Sequence, residues 1–206
     1  MKLIASSFLY TYLFLCNALI AEDQVIEKAF MEYLGNQNFF SAFFSQKTYS
    51  GDNERVVKGS IKANREGMFK LIYEEPVNET LLSDAINFYR YDPELEQLEI
   101  RPIENLIDET PIGLFSAKTS VLLETYNLRG CKTSKNNLRC ELVSRLKDNY
   151  LQLIEVNIFN NVINFIRYKD SFDQEVLLRF TDVSLKEIDL KEFYINIPDG
   201  IDIIKH

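Results

Sequence analysis

The sequence predicts a mainly β protein: a single curved antiparallel sheet of about eleven strands, covered by about three helices. Three observations carry this. Between Phe39 and Arg101, six consecutive segments alternate apolar and polar residues with period two. Turn-forming residues separate them at short spacing, among them Gly51-Asp52-Asn53, Glu66-Gly67 and Asp92-Pro93. Two stretches break the period, one with apolar residues at helical spacing and one too apolar for a simple connector.

The chain opens with "MKLIASSFLYTYLFLCNALIAEDQ", in which Lys2 precedes an apolar run from Leu3 to about Ile20. This is the pattern of a secretory signal peptide over 1–21, with cleavage after Ala21 or Ala18. A membrane anchor is the competing reading, but the run is near the minimum spanning length and no basic cluster follows it. Leu15 before Cys16 speaks against lipid attachment. The remaining residues, 22–206, read as one domain.

In "DQVIEKAFMEYL", Val25, Ile26, Ala29, Phe30, Tyr33 and Leu34 recur at helical spacing, so a helix is expected over about 23–34, with Asp23 capping its start and Gly35 its end. The strands follow: "FFSAFFSQKTYS", "ERVVKGSIKANR", "MFKLIYE", "ETLLSD", "INFYRY" and "LEQLEIR". Residues 102–124 then carry Thr110-Pro111, a helix-start signal, and the short segments "IGLFSA" and "SVLLET". Their apolar character predicts a cover over the sheet. The meander resumes with "YLQLIEVNIF" and "VINFIRY", joined at Asn160-Asn161, and ends with "EVLLRFTDV", "LKEID" and "EFYINIP". Cys131 and Cys140 flank the turn-rich "KTSKNNLR". Export permits a disulfide between neighbouring antiparallel strands there, and two small buried thiols fit the residues as well.

Composition excludes several functions. The net charge is −8, with basic residues interspersed among acids, so binding to nucleic acid is not expected. The only histidine is His206, the last residue, which removes Ser-His and Cys-His pairs and histidine-based metal sites. No glycine-rich phosphate loop occurs. Acidic pairs such as Glu74-Glu75 and Asp108-Glu109 fall in turn-like segments and read as solvated. No enzyme, cofactor or metal is expected.

Period-two reading directs Phe44, Ile61, Phe69, Leu71, Leu82, Phe88, Ile100, Ile154 and Phe165 to one inward face, and Leu114 joins them from the cover. Small residues on that face, Gly59 and Ala63, leave room for a ligand inside a strongly curved sheet. An ordinary β-sandwich or a filled barrel fits the same pattern. Arg65 ends the apolar face of its strand, either snorkelling to water or turned inward.

These segments resemble the outer-membrane lipoprotein carrier protein (LolA) family. The resemblance runs from "FFSAFFSQ" to the C-terminus. The family's Phe-x-Ala-x-Phe-x-Gln is matched by Phe40, Ala42, Phe44 and Gln46, and its glycine, arginine and phenylalanine of the next hairpin by Gly59, Arg65 and Phe69. Ser83-Asp84, Tyr91, Asp92, Gln97, Thr110 and Pro111 also match. Glu66 stands where the family has proline, Leu71 where it has tryptophan and Ala85 where glycine is usual. The resemblance implies a half-open barrel of eleven antiparallel strands with a helical lid over about 23–34 and 102–124. It implies a monomeric periplasmic carrier that takes triacylated lipoproteins from an inner-membrane ABC exporter to an outer-membrane acceptor, holding their acyl chains in the inward-facing cavity. In that family the arginine matched by Arg65 latches the lid through backbone carbonyls. A periplasmic lipid- or lipoprotein-sensing regulatory domain on the same fold is the alternative.

Overall fold

The computed structural model describes residues 25–26, 28–103, 110–146, 151–169 and 173–206. The expected signal segment, the expected cap Asp23 and part of the cover lie outside these residues.

Alternating residues build β1 (Phe39–Ser50), β2 (Asn53–Asn64), β3 (Met68–Tyr73), β4 (Glu79–Asp84), β5 (Asn87–Asp92) and β6 (Gln97–Pro102) as a meander. After the cover come β7 (Tyr126–Ser134), β8 (Asn137–Ser144), β9 (Leu153–Phe159), β10 (Val162–Lys169), β11 (Glu175–Ser184) and β12 (Asp202–Lys205). All twelve join one sheet in the order β12-β6-β5-β4-β3-β2-β1-β11-β10-β9-β8-β7. Every pairing is antiparallel except that of β12, which runs parallel to β6. The sheet stays open between β12 and β7, and the segment leading from β6 to β7 supplies cover.

Among the described residues that cover has three helices: α1 over 25–26 and 28–36, α2 (Gly113–Ser116) and α3 (Thr119–Thr125). Helix α1 sends Phe30 and Leu34 into the core, in one buried cluster with the inward residues Leu142, Ile154, Val156 and Ile166. Gly35 does not end α1. It sits inside the last turn, where a Cβ would lie 3.0 Å from Thr119 Cγ2, so its lack of a side chain lets α1 approach α3. Thr110 does start the α2 turn: its hydroxyl oxygen accepts from the Ile112 N–H at 3.2 Å.

The strand count differs from expectation at the C-terminal end and at the cysteines. Residues 185–189 form no strand, and of residues 192–198, also expected as one, the first two complete the 3-10 turn Leu190–Phe193 and the rest follow it as an irregular strap. Only Phe193 of this stretch is a buried anchor, while Tyr194 is 69% exposed, so the apparent alternation buries no continuous face. The strap crosses the convex face, held by an ion pair of Lys62 with Glu192 (2.6 Å) and a hydrogen bond from Lys70 Nζ to the Tyr194 carbonyl (2.8 Å). Two strands occur instead at β7 and β8, whose charged and turn-forming residues mask their alternation, as is usual near a sheet edge. Cys131 and Cys140 face each other across them as a disulfide, with Cα atoms 4.1 Å apart.

Candidate functional site

The curvature leaves a cavity of about 190 Å³ over β1–β5 and the adjoining β11 and β10, lined by Phe44, Ile61, Phe69, Leu71 and Phe88 among the expected inward residues. The cover closes it with Pro111, Ile112 and Phe115. Phe115 is the plug. Its ring stacks on Phe40 at 3.9 Å between centroids and meets Phe180 edge-on at 5.5 Å. The space is below the roughly 300–1,000 Å³ of ordinary ligand pockets, so this is a closed form. Gly59 does not supply the room. A Cβ there would lie 2.7 Å from Phe44 Cζ and 2.0 Å from the Ile72 carbonyl oxygen, so the glycine admits the Phe44 ring, and Ala63 is packed solid. The cavity lies beside them.

Arg65 turns inward. Its backbone N–H donates to the Asn38 carbonyl, which brings the end of β2 beneath the cover. Its side chain is 7% exposed and donates three hydrogen bonds to backbone carbonyls: Nε to Gln37 at 3.1 Å, one terminal nitrogen to Ala117 at 3.0 Å and the other to Leu34 at 2.7 Å. Leu34 lies in the last turn of α1 and Ala117 caps α2, so these acceptors belong to helix ends, where carbonyls lack intrahelical partners and the helix dipole is negative. Burial pulls the guanidinium down to about 10, which leaves it cationic at neutral pH. Beside it the Gly67 N–H donates to the Ser116 carbonyl at 3.1 Å. One hairpin thus holds both parts of the cover.

The hairpin is itself braced. Asn64 Oδ1 accepts from the N–H groups of Glu66 and Met68, both at 3.1 Å. Ser83, fully buried, donates to the Gly67 carbonyl at 2.8 Å and accepts from the Ala85 N–H at 3.0 Å. Asp84 accepts from the N–H groups of Ile86 and Asn87 and from the Tyr89 hydroxyl. Burial opposes its charge, but these bonds outweigh that and hold the carboxyl below the ordinary carboxylate range. The Ser83-Asp84 pair therefore shapes the support of Arg65.

The structure corrects three inward assignments. Leu82 stands opposite Lys70, and Ile100 opposite Tyr89 in the same cross-strand row, on the convex face. The strap that packs over β3 and β4 buries Leu82 there. Phe165 is flipped by a register shift after Ile163. It stands opposite Arg179 on the convex side, with the guanidinium groups of Arg139, Arg167 and Arg179 within 5.6–5.8 Å of its ring centroid. Ile154 and Leu114 are core residues that do not line the cavity. Tyr73, Leu81, Tyr168, Leu178 and Phe115 line it without having been singled out. Tyr73 continues the alternation of Phe69 and Leu71, Leu81 and Tyr168 stand on the faces opposite to those assigned through Leu82 and Phe165, Leu178 lies on a strand for which no inward residue was singled out, and Phe115 sits in the apolar "IGLFSA".

A family model described as outer membrane lipoprotein carrier protein LolA matches residues 36–196. An outer-membrane lipoprotein carrier protein of Hahella chejuensis is 30% identical over 177 residues, 84% of this chain and 84% of that one. One from Pseudomonas aeruginosa is 26% identical over 208 aligned positions, covering 100% of both. Among solved structures, a LolA-superfamily protein of Nitrosomonas europaea aligns with a TM-score of 0.51 at 12% identity, over 84% of this chain and 97% of that chain. A conserved protein of Thermus thermophilus aligns at 0.54 and 11% identity, over 89% and 98%. These two share the fold.

Proposed function

Because the chain belongs to the LolA family of outer-membrane lipoprotein carrier proteins, we propose that its concave face shields lipoprotein acyl chains during transfer to the outer membrane, with Arg65 as the latch of the lid. The protein is a lipoprotein carrier and works without chemistry of its own. Residues 1–21 direct it to the periplasm and are removed, and 22–206 form the carrier domain. An ABC exporter in the inner membrane loads it, and an outer-membrane acceptor unloads it.

The observation that carries this reading is a buried arginine tying two helix ends over a small apolar cavity. A triacylated anchor of roughly 45 methylenes, at about 0.8 kcal/mol each, resists water by on the order of 30 kcal/mol. A carrier realising all of it would exceed the practical ceiling of about 18–21 kcal/mol and never release its cargo. A latched empty state competes with cargo, because each charge-assisted bond from Arg65 contributes about 1.5–3 kcal/mol. Loading breaks these bonds, and delivery restores them.

Phe69→Glu places a carboxylate inside the cavity and is expected to abolish extraction of lipoprotein from inner-membrane vesicles; normal extraction would refute the cavity assignment. Arg65→Leu is expected to load and then accumulate as carrier–lipoprotein complex, with Arg65→Lys intermediate because one ammonium cannot span the three carbonyls. Delivery by Arg65→Leu at the wild-type rate would sink the latch.

A further inference from the structure

The inward residues of β1 read Phe40, Ala42, Phe44, Gln46, Thr48 and Ser50 from the lid end downward. The apolar face therefore turns polar halfway along the strand. The change is shared across the sheet. Below the closed cavity lies an open vestibule of about 540 Å³, and Gln46, Tyr73 and Leu81 line both spaces. Thr48, Arg55 and Glu79 belong to the vestibule alone. The cavity thus has a second end, opposite Arg65, where hydrocarbon surroundings give way to hydrogen-bonding groups within one residue pair.

An acylated cysteine has the same profile. Its chains are hydrocarbon, and they end in ester and amide linkages whose carbonyl oxygens accept hydrogen bonds. Resting on the carrier reading above, we infer that Gln46, Thr48 and Tyr73 form a subsite for these ester and amide carbonyls, so that cargo lies with its tails toward the lid and its linkage in the vestibule. Gln46 is suited to this. Among the described residues its side chain reaches only the Thr48 hydroxyl, at 3.4 Å, near the long limit for a hydrogen bond, so its amide donors are available. Tyr73 is held edge-on against Phe44, 5.4 Å between centroids, which fixes its ring at the boundary. Burial, helped by the negative charge of Glu79, pushes its phenol up to about 12, so it remains a donor at any physiological pH. Glu79 is itself bound by Arg90, which keeps that wall from repelling an acceptor-rich ligand.

The test compares two synthetic probes on the mature protein: a dipalmitoyl-glyceryl-cysteinyl peptide, and its analogue with both esters replaced by ethers. Each displaces N-phenyl-1-naphthylamine from the cavity. The wild-type protein is expected to prefer the ester probe by about tenfold, the scale of one or two neutral hydrogen bonds. Gln46→Leu and Tyr73→Phe, made separately, are each expected to bring that ratio down by about threefold or more. Equal affinity of the wild-type protein for both probes, or an unchanged ratio in both variants, overturns the subsite. Failure of the wild-type protein to bind the fluorophore and either probe would instead overturn the carrier reading on which the subsite rests.

Discussion

The two halves of the concave face have the same kind of strand and opposite packing. At β8 and β9 the inward residues Cys140, Ile154 and Val156 are fully buried, in one core with Phe30 and Leu34 of α1. Over β1–β5 the inward Leu71 and Phe88 stay 9% and 7% exposed and border the cavity, joined by Tyr168 of β10 and Leu178 of β11 at 9% and 7%. The strands do not make this difference; their covers do. Helix α1, over 25–26 and 28–36, carries several large apolar side chains, whereas α2 has four residues and reaches down chiefly through Phe115. A long amphipathic helix completes a core. A single turn pinned by one arginine closes a space without filling it, and can be lifted without dismantling the sheet. The lesson is that capacity for a ligand here comes from an undersized lid over an ordinary β surface.

The largest test of that contrast is a pair of truncations. Ile154→Ala, in the filled half, is expected to lower unfolding stability by about 4 kcal/mol, since the hole it leaves is walled on all sides. Leu71→Ala, on the cavity wall, is expected to cost about 2 kcal/mol, because one side already lacks contacts. Chemical denaturation of both variants measures this, and equal losses would mean the halves are equally packed.

The disulfide sharpens the contrast next. It closes a loop of ten residues at the edge hairpin β7–β8, away from the cavity. Reduction is expected to lower stability by about 2–3 kcal/mol in the chain-entropy model while leaving lipoprotein transfer unchanged. Transfer that falls in parallel with reduction would show that the edge takes part in carrying.

The smallest effect sits beside the latch. Ala85, where the family has glycine, adopts φ +74°, a left-handed conformation unfavourable for alanine. Its Cβ also marks the nearest contact for any side chain built at Gly67, at 3.2 Å. Ala85→Gly is expected to stabilise the protein by about 1 kcal/mol, read as a rise in the denaturation midpoint, and a loss of stability would refute strain at this turn.

By itself the sequence determined which residues could pair into faces, because side-chain alternation is a local property of an extended chain. On those grounds Phe44, Ile61, Phe69, Leu71 and Phe88 were legible as one surface, and so was the helical character of α1, α2 and α3. Alternation carries no information about which face is covered. Leu82 therefore misled, since a strap more than 100 residues away covers the convex side of its strand as well, and Ile100 shares that convex row through Tyr89. Phe165 misled for a second reason: one extra residue in β10 inverts every side chain beyond it, and nothing local announces where the partner strand slips. The partners of Arg65 were decided only in three dimensions. They are carbonyls 28, 31 and 52 residues away, and what makes them acceptors is that two helices end there, a condition that arises once the helices are folded and brought to the same arginine.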